Sequence, residues 1–334
     1  MIRLLLVLIG LWFSPPERVP LRAFYLNGYG QGTTYSITYY APDSTVTPDD
    51  IARKLAEIDA SLSLYVPTSL INQFNRSPHG VVADRHLRVV VRKALEVYQA
   101  TDGLFDATVE PLVQAWGFGN QKVATPPSPA AIQAILPQVG SDKLHLRGDS
   151  LVKDRPGVHL DLNGIAQGYT VDVLAKLLED KHIRDYLVEL GGEIRVRGRK
   201  WPGGDPMRIG IERPEANDLP GAGMQQIIQL KAGGVTTSGN YRKFKQWGAV
   251  KSAHLINPKT GYTFQNNMIS ATVVAPDAFT ADAYDNALMG MSLTNALAFL
   301  GRHRDLQAYL IYQRPDGAVA DTCTQEFQKL IFHE

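Results

Sequence analysis

The spacing of hydrophobic and polar positions predicts an amphipathic helix soon after residue 47. One face of this segment carries Ile51, Leu55, Ile58 and Leu62. The preceding letters TPDD, residues 47–50, place a hydroxyl residue before a proline, which is typical of an N-cap and the first helical position. The helix therefore begins at about residue 48, with its apolar face turned towards a core.

A second helical pattern spans residues 87–100 and ends at Asp102-Gly103. We expect its inward face to consist of Val90, Val91, Leu95 and Tyr98. A proline-rich loop at residues 126–129 precedes a short helix near residues 130–136.

Strand-like alternation appears early at residues 33–40 (TTYSITYY) and dominates the chain after residue 186. Four strands are predicted in sequence from the segments YLVEL, EIRVRG, MRIGIE and QIIQLKA. A further strand at residues 270–276, a helix at 279–291 and a late strand at 306–312 follow. Helices concentrated in the first half and strands in the second indicate an α+β fold with mixed helices and antiparallel strands. No clear linker interrupts residues 21–334, which we interpret as one catalytic domain, with a division into two lobes left open.

The first 20 residues have a different character, because MIRLLLVLIGLWF combines one arginine with a short apolar run. Such a run is too short to span a bilayer and is typical of a signal peptide or a short membrane anchor. The alternative is a buried N-terminal helix. We favour export, to the periplasm or to the outer face of the inner membrane.

Composition narrows the class of protein. The chain of 334 residues has a formal net charge of +1 and lacks a basic run with interleaved aromatic residues, so nothing indicates nucleic-acid binding. Its single cysteine excludes a disulfide framework and a cysteine metal site. No G-x-G-x-x-G motif opens a βαβ unit, which argues against a nicotinamide-dependent dehydrogenase.

The segment HLDLNGIAQGYTVD, residues 159–172, combines an apparent strand, a tight turn and the start of a helix. Asp161 ends the strand, and Gly164 lies in the turn, where its carbonyl could face a cation. A helix N-terminus favours a bound anion. The segment therefore predicts an anion site with an associated metal, or else a plain strand-turn-helix unit with a capping aspartate.

Two other segments could contact a ligand. GQGTTY at residues 30–35 contains glycines that permit close approach of the backbone, although a hairpin turn explains it equally well. DGLFDAT at residues 102–108, followed by WGFG at 116–119, could line the pocket of a flat ligand. The alternative for the second is a loop with a buried aromatic anchor.

Hard-cation ligands are predicted on the helix that contains TADAYDN, residues 280–286. Asp282 and Asn286 are four residues apart and share a face, with Asp285 beside them. Carboxylate and amide oxygens in this arrangement suit Mg²⁺. An ordinary solvated helix face is the alternative. His254, in the apolar context AHLI, is either a core histidine or a catalytic one.

Taken in order, these segments resemble the FAD:protein FMN transferases, the ApbE-type flavin transferases, over about residues 24–332. The resemblance rests on eight motifs in register: GQGTTY, Ser63-Leu64-Tyr65 with Ser69, GLFDATVEPLVQAWGFG, LDLNGIAQGYTVD, YLVELGGEIRVRG, TSGNYRKF, AHLINPKTG and ADAYDN. It implies a core related to the tunnelling fold. It also implies transfer of FMN from FAD to a threonine or serine hydroxyl of an acceptor flavoprotein, with release of AMP.

The resemblance also implies roles for individual residues. FAD would be contacted by Gln31, Tyr65, Leu104, Phe105, Asp106, Asp161 and Gln167. Mg²⁺ would be held by the carbonyl of Gly164 together with Asp282, Asp285 and Asn286. His254 would remove the proton from the acceptor hydroxyl. The acceptor would belong to a membrane or extracytoplasmic electron-transfer system, and the N-terminus could anchor the enzyme there.

Three positions depart from the family pattern. Asn286 replaces the usual threonine, Ala253 the usual serine, and Asn257 the usual aspartate. These changes bear on catalysis more than on FAD binding. Two alternatives therefore stay open: an FAD pyrophosphatase that yields FMN and AMP, and a non-catalytic FAD-binding protein.

Overall fold

The computed structural model describes residues 20–119, 123–214, 224–240, 244–247 and 250–333. Apart from Pro20, the predicted leader lies outside this part of the chain. No helix among the described residues has an apolar stretch long enough to cross a bilayer.

The helices of the described residues are α1 Pro48–Leu62, α2 Leu70–Arg76, α3 Arg85–Ala100, α4 Glu110–Ala115, α5 Pro129–Ile135, α6 Ala166–Asp180, α7 Ala278–Met289, α8 Leu293–Arg302 and α9 Gln325–Gln328. The strands of the first half are β1 Arg22–Gly30, β2 Thr33–Ala41, β3 Gly80–Val82, β4 Leu144–Arg147 and β5 Ser150–Lys153. Those of the second half are β6 Asp185–Leu190, β7 Glu193–Arg197, β8 Met207–Glu212, β9 Met224–Leu230, β10 Ala232–Gly239, β11 Phe244–Trp247, β12 Val250–Ala253, β13 Met268–Ala275, β14 Gln307–Gln313 and β15 Val319–Cys323.

One eight-stranded sheet organises the fold, in the order β1-β2-β6-β7-β10-β13-β14-β15. Each pair of neighbouring strands in it is antiparallel. Helices α1, α6 and α7 pack on one face, and the β8–β9 hairpin with α9 covers part of the other. The predicted α+β class is confirmed.

Helix α1 begins as its sequence predicts. The Thr47 side chain accepts a hydrogen bond from the backbone N–H of Asp50, and the Asp50 carboxylate accepts one from the backbone N–H of Thr47. This reciprocal capping box satisfies two N–H groups that the first turn would otherwise leave unpaired. The four predicted apolar positions of α1 are all buried.

Three expectations about local structure are wrong. Helices and strands are not segregated, because five strands lie before residue 154 and four helices lie after residue 165. The buried stripe of α3 runs through Ala94 and Val97, which leaves Leu95 and Tyr98 half-buried at its margin. Residues 158–162 form no strand.

The side chain of Asn75 explains the missing strand, because it replaces a neighbouring strand at Leu160. Its amide oxygen accepts from the Leu160 N–H at 2.7 Å, and its NH₂ donates to the Leu160 carbonyl at 3.0 Å. The next N–H, of Asp161, donates to the carbonyl of Ala107 at 2.8 Å. The segment is therefore held straight beside the loop that contains residues 102–109.

Candidate active site

All the site residues predicted from the sequence line one cavity of about 760 Å³. They are Gln31, Tyr65, Leu104, Phe105, Asp106, Asp161, Gly164, Gln167, His254, Asp282, Asp285 and Asn286. The volume is within the range of small-molecule sites. Segments that are far apart in sequence therefore meet at one place.

The turn before α6 directs a carbonyl towards α7. The N–H of Gly168 belongs to the first turn of α6, where no carbonyl of the helix accepts it, and it donates to Asp282 Oδ2 at 2.8 Å. The Gly164 carbonyl faces the amide of Asn286 at 3.3 Å. A Cβ atom at Gly164 would meet only ordinary contacts, so the position of the carbonyl matters here and the lack of a side chain does not.

Carboxylates from the protein occupy the N-termini of both helices. While Asp282 of α7 bonds the first turn of α6, Asp172 of α6 accepts from the backbone N–H groups of Ala278 and Phe279 at the start of α7. Asp282 therefore occupies one N–H group at the start of α6, and a bound anion at this helix N-terminus stays a prediction. A negative charge at a helix N-terminus is favourable, so each helix holds the other in place.

Asp282 and Asp285 are buried side by side, with 3% and 2% of their surfaces exposed, which excludes a solvated helix face. Burial raises the pKa of the Asp282 carboxyl. Burial, and then repulsion from Asp282, raises the pKa of Asp285 well above its usual range. Paired buried carboxylates need a cation or strong hydrogen-bond donors to remain charged.

Asn286 lies at the point where these oxygens converge. Its Nδ2 atom is 2.9 Å from Asp285 Oδ1, 3.0 Å from the Asp282 carbonyl and 3.4 Å from Asp282 Oδ1. Its Oδ1 atom accepts from the Ser238 hydroxyl at 3.3 Å. The nitrogen of the amide therefore faces the carboxylates in this structure, and the predicted role of the oxygen as a metal ligand stays a prediction.

The donor set around Asn286 fits a hard cation. Carbonyl and carboxylate oxygens are the ligands that Mg²⁺ prefers. Among the described residues, no group of three His, Cys, Asp or Glu side chains has metal-binding geometry. A cation at this position would therefore depend on the Gly164 carbonyl and Asn286 as well as on the two carboxylates.

His254 also lines the cavity, just beyond the end of β12 at Ala253. The side chain is half-buried, which argues against a purely structural core histidine. Its ring meets the edge of Phe118 with 6.5 Å between centroids. An imidazole held against an aromatic ring and facing a cavity is suitably placed for proton transfer.

The hairpin tip between β1 and β2 forms another wall, so the hairpin turn predicted from GQGTTY is confirmed, whereas its contact with a ligand stays a prediction. Gln31 and Gly32 make the turn with positive φ values of 52° and 77°. The Gln31 amide donates to Asp59 Oδ1 at 3.0 Å, which fixes its side chain at the cavity. Tyr65 lines the cavity with 69% of its surface exposed, and desolvation by neighbouring groups, followed by the Asp161 carboxylate, raises its pKa.

The loop at residues 102–109 is braced by Asp106. This carboxylate accepts from the backbone N–H and hydroxyl of Thr108, and from the N–H and hydroxyl of Ser141, at 2.6–3.2 Å. Those bonds fix Leu104 and Phe105 in the cavity wall. Contact between Asp106 and FAD stays a prediction.

Asn257, one of the departures from the family pattern, has a local structural role. Its side-chain oxygen accepts from the N–H groups of Lys259 and Thr260, at 2.9 and 3.3 Å. An aspartate could make the same turn, because either side chain can supply the oxygen. This substitution therefore preserves the local turn.

Sequence reasoning did not assign a role to Asp59 or Ser238, although both line the cavity. Asp59 follows Ile58 on α1, and an acidic residue beside a buried stripe is a signal that could have revealed it. Ser238 lies within the TSG motif. Its hydrogen bond to Asn286 joins β10 to α7, and no local sequence pattern predicts a contact between these two elements.

The fold and the cavity together define an α+β protein whose buried carboxylates and single histidine face one ligand site. The sequence profile of the ApbE family matches residues 31–310. The chain belongs to the ApbE family, as its motifs predict.

Relatives match over nearly the whole chain. The FAD:protein FMN transferase of Vibrio cholerae is 33% identical over 305 residues, which cover 89% of this chain and 90% of that protein. The Escherichia coli protein of the same name is 33% identical over 304 residues, covering 87% and 85%. Each alignment extends well beyond the motifs.

Solved structures agree with the fold. The flavin transferase ApbE from Vibrio cholerae superposes with a TM-score of 0.83 at 31% identity, covering 93% of this chain and all of that one. The apo form of the flavinyl transferase ApbE from Pseudomonas stutzeri gives 0.83 at 30% identity, covering 94% and 98%. The predicted flavin-transferase core is confirmed.

Proposed function

We propose that this chain transfers FMN from FAD to a serine or threonine hydroxyl of an acceptor protein, with Mg²⁺ as cofactor. The observation that carries the proposal is the convergence of every predicted site residue on one cavity. The similarity to FAD:protein FMN transferases supports flavin transfer from FAD. The cation and the acceptor hydroxyl rest on the chemistry of the side chains.

In the proposed reaction the acceptor hydroxyl oxygen attacks the phosphorus on the FMN side of the FAD pyrophosphate. A new phosphoester bond forms, the bond to the AMP phosphate breaks, and AMP leaves. His254 takes the hydroxyl proton, because a hydroxyl is a weak nucleophile near neutral pH. Leu104 and Phe105 offer apolar surface to the flavin ring, and Gln31, held by Asp59, orients the bound dinucleotide.

The cation would be held by the Gly164 carbonyl, Asp282, Asp285 and Asn286. When bound, it stabilises negative charge that develops on the phosphoryl oxygens. Asp282 also keeps its bond to Gly168, so the protein itself fixes the direction of this carboxylate.

Intact mass measurement tests the function directly. Purified chain, FAD and Mg²⁺ are incubated with and without a peptide that carries a Ser/Thr-Gly-Ala-Thr segment. We expect the peptide to gain the mass of one FMN, with an equal amount of AMP, and EDTA to stop both. AMP without labelling would identify an FAD pyrophosphatase, and bound FAD without products would identify a flavin-binding protein.

Replacing His254 with alanine is expected to slow FMN transfer by about 100- to 10,000-fold, the usual range for a positioned base. FAD affinity should change little, and added imidazole should restore part of the rate. Peptide labelling and FAD titration measure the two effects. The exposed His79 provides the matched control, since His79→Ala removes an imidazole away from the cavity. Equal rates for His254→Ala and the control would remove His254 from the mechanism.

We further propose that the enzyme is exported and acts on a flavoprotein of a membrane or extracytoplasmic electron-transfer system. The apolar run at the start of the chain supports this, as a signal peptide or short anchor. Fusion of residues 1–40 to alkaline phosphatase lacking its own signal tests the route, and an inactive fusion would contradict it.

A further inference from the structure

The amide of Asn286 has more acceptors around it than it has hydrogen atoms. Four oxygens lie within 3.4 Å of its Nδ2 atom: one from Asp285, two from Asp282 and the carbonyl of Gly164. Within α7 the Asp282 carbonyl also accepts the backbone N–H of Asn286, but the other three acceptors still outnumber the two hydrogens of the amide nitrogen. Oxygens crowded around a single point are characteristic of a cation cage.

The surroundings of Asn286 determine which end of its amide faces the cage. The Ser238 hydroxyl donates to Oδ1 from the far side, so that oxygen is already satisfied. With the amide turned over, Oδ1 would point at two buried carboxylates, and like partial charges would repel one another. The NH₂ group therefore faces these four oxygens, called the cage below, whenever no cation is bound.

We propose that the Asn286 amide is a built-in competitor of the divalent cation: its NH₂ group holds the cage together in the metal-free protein and must turn away before a cation binds. This inference rests on the proposed metal dependence of the same site. It adds that cation binding has a conformational cost located in one side chain.

Distances make the exchange explicit. The oxygens lie 2.9–3.4 Å from the nitrogen, whereas oxygens around Mg²⁺ lie at about 2.0–2.1 Å. Cation binding therefore requires the cage to contract as the NH₂ group leaves. The bond from Ser238 must break as well if Oδ1 is to become a ligand.

Metal affinity, measured without FAD or acceptor, tests the inference. Mn²⁺ serves as the probe, with free ion counted by electron paramagnetic resonance in the presence of the full chain. Asn286→Thr removes the competing NH₂ group and keeps a side-chain oxygen, so Mn²⁺ should bind about tenfold tighter, the factor equivalent to one hydrogen bond. In EDTA the same variant should melt below the wild type, because the cage has lost its donor.

Two further variants complete the design. Ser238→Ala frees Oδ1 to turn towards the cation, and we expect Mn²⁺ to bind about threefold tighter, with both carboxylates untouched. Asn295→Thr, the same substitution as Asn286→Thr at an exposed position of α8, should leave the affinity unchanged.

Equal or weaker Mn²⁺ binding by Asn286→Thr would overturn the inference. Absence of Mn²⁺ binding in every variant would overturn both this inference and the metal part of the proposed function. FMN transfer itself is judged separately, by peptide labelling, so the two failures are distinguishable.

Discussion

Replacing Asp282 with asparagine is expected to abolish metal-dependent FMN transfer while the protein stays folded. The asparagine oxygen can still accept the Gly168 N–H, so the contact between α6 and α7 survives. The negative charge is lost, and with it an electrostatic contribution of several kcal/mol to cation binding and phosphoryl transfer, which corresponds to about a thousandfold in rate. Because burial raises the pKa of Asp282, loss of its charge should not by itself destabilise the fold, and any fall in melting temperature should come from the lost bond between Asn286 Nδ2 and Asp282 Oδ1.

Asp277 provides the matched control on the same helix. It caps α7 through the N–H of Thr280, and asparagine is an equally good cap, so Asp277→Asn should retain transfer and stability. Peptide labelling across a range of Mg²⁺ concentrations, with melting curves, measures both variants. Wild-type Mg²⁺-dependent labelling by Asp282→Asn would contradict the metal assignment.

Replacing Gly168 with alanine is expected to destabilise the protein and impair the site together. A Cβ atom there would lie 2.4 Å from the carbonyl oxygen of Ala278 and 2.7 Å from Asp282 Cβ. Neither neighbour can move without shifting α7, because one is backbone and the other begins a buried side chain. Overpacking of this kind costs about 1–3 kcal/mol, which exceeds the gain of about 1 kcal/mol from better helix propensity.

Gly301 of α8 supplies the control, because the same substitution there should have the opposite effect on the free energy of unfolding. A Cβ atom at Gly301 would meet nothing within 4 Å, so Gly301→Ala should raise the free energy of unfolding by about 0.5–1 kcal/mol. Urea unfolding compares the two variants, and peptide labelling shows whether Gly168→Ala also loses transfer. Similar free energies of unfolding for both variants would contradict the prediction. They would mean that α6 and α7 move apart enough to accommodate the added methyl group.

Helices with a strong period and good caps were predictable from sequence. The capping box of Thr47 and Asp50 and the apolar stripe of α1 are local features, so reading the chain in order was sufficient. The ligand residues were predicted through family motifs, and the cavity confirms that they lie together. Nothing in their spacing alone would have brought Gln31 and Asn286 to the same place.

The missed elements had weak local signals. β1 is an edge strand that contains two glycines and leaves Tyr25 and Tyr29 exposed, so its pattern does not resemble a buried strand. Strands β3, β4 and β5 have only three or four residues each, too few for a periodic pattern. The strand expected at Leu160 does not form, because the side chain of Asn75, far away in sequence, hydrogen-bonds the N–H and C=O groups of Leu160.

Helices α6 and α7 each have a carboxylate of the other at their N-terminus, and this has a consequence for how a diphosphate can be recognised. Nucleotide-binding loops commonly offer free helix N–H groups to phosphate oxygens. Here the side chains of Asp172 and Asp282 already use N–H groups of the first turns. In the proposed function, the charge of a dinucleotide would then be met by a bound cation more than by these two helix N-termini. Affinity for FAD would then depend on the divalent cation concentration of the compartment. That concentration would determine what fraction of the enzyme holds FAD.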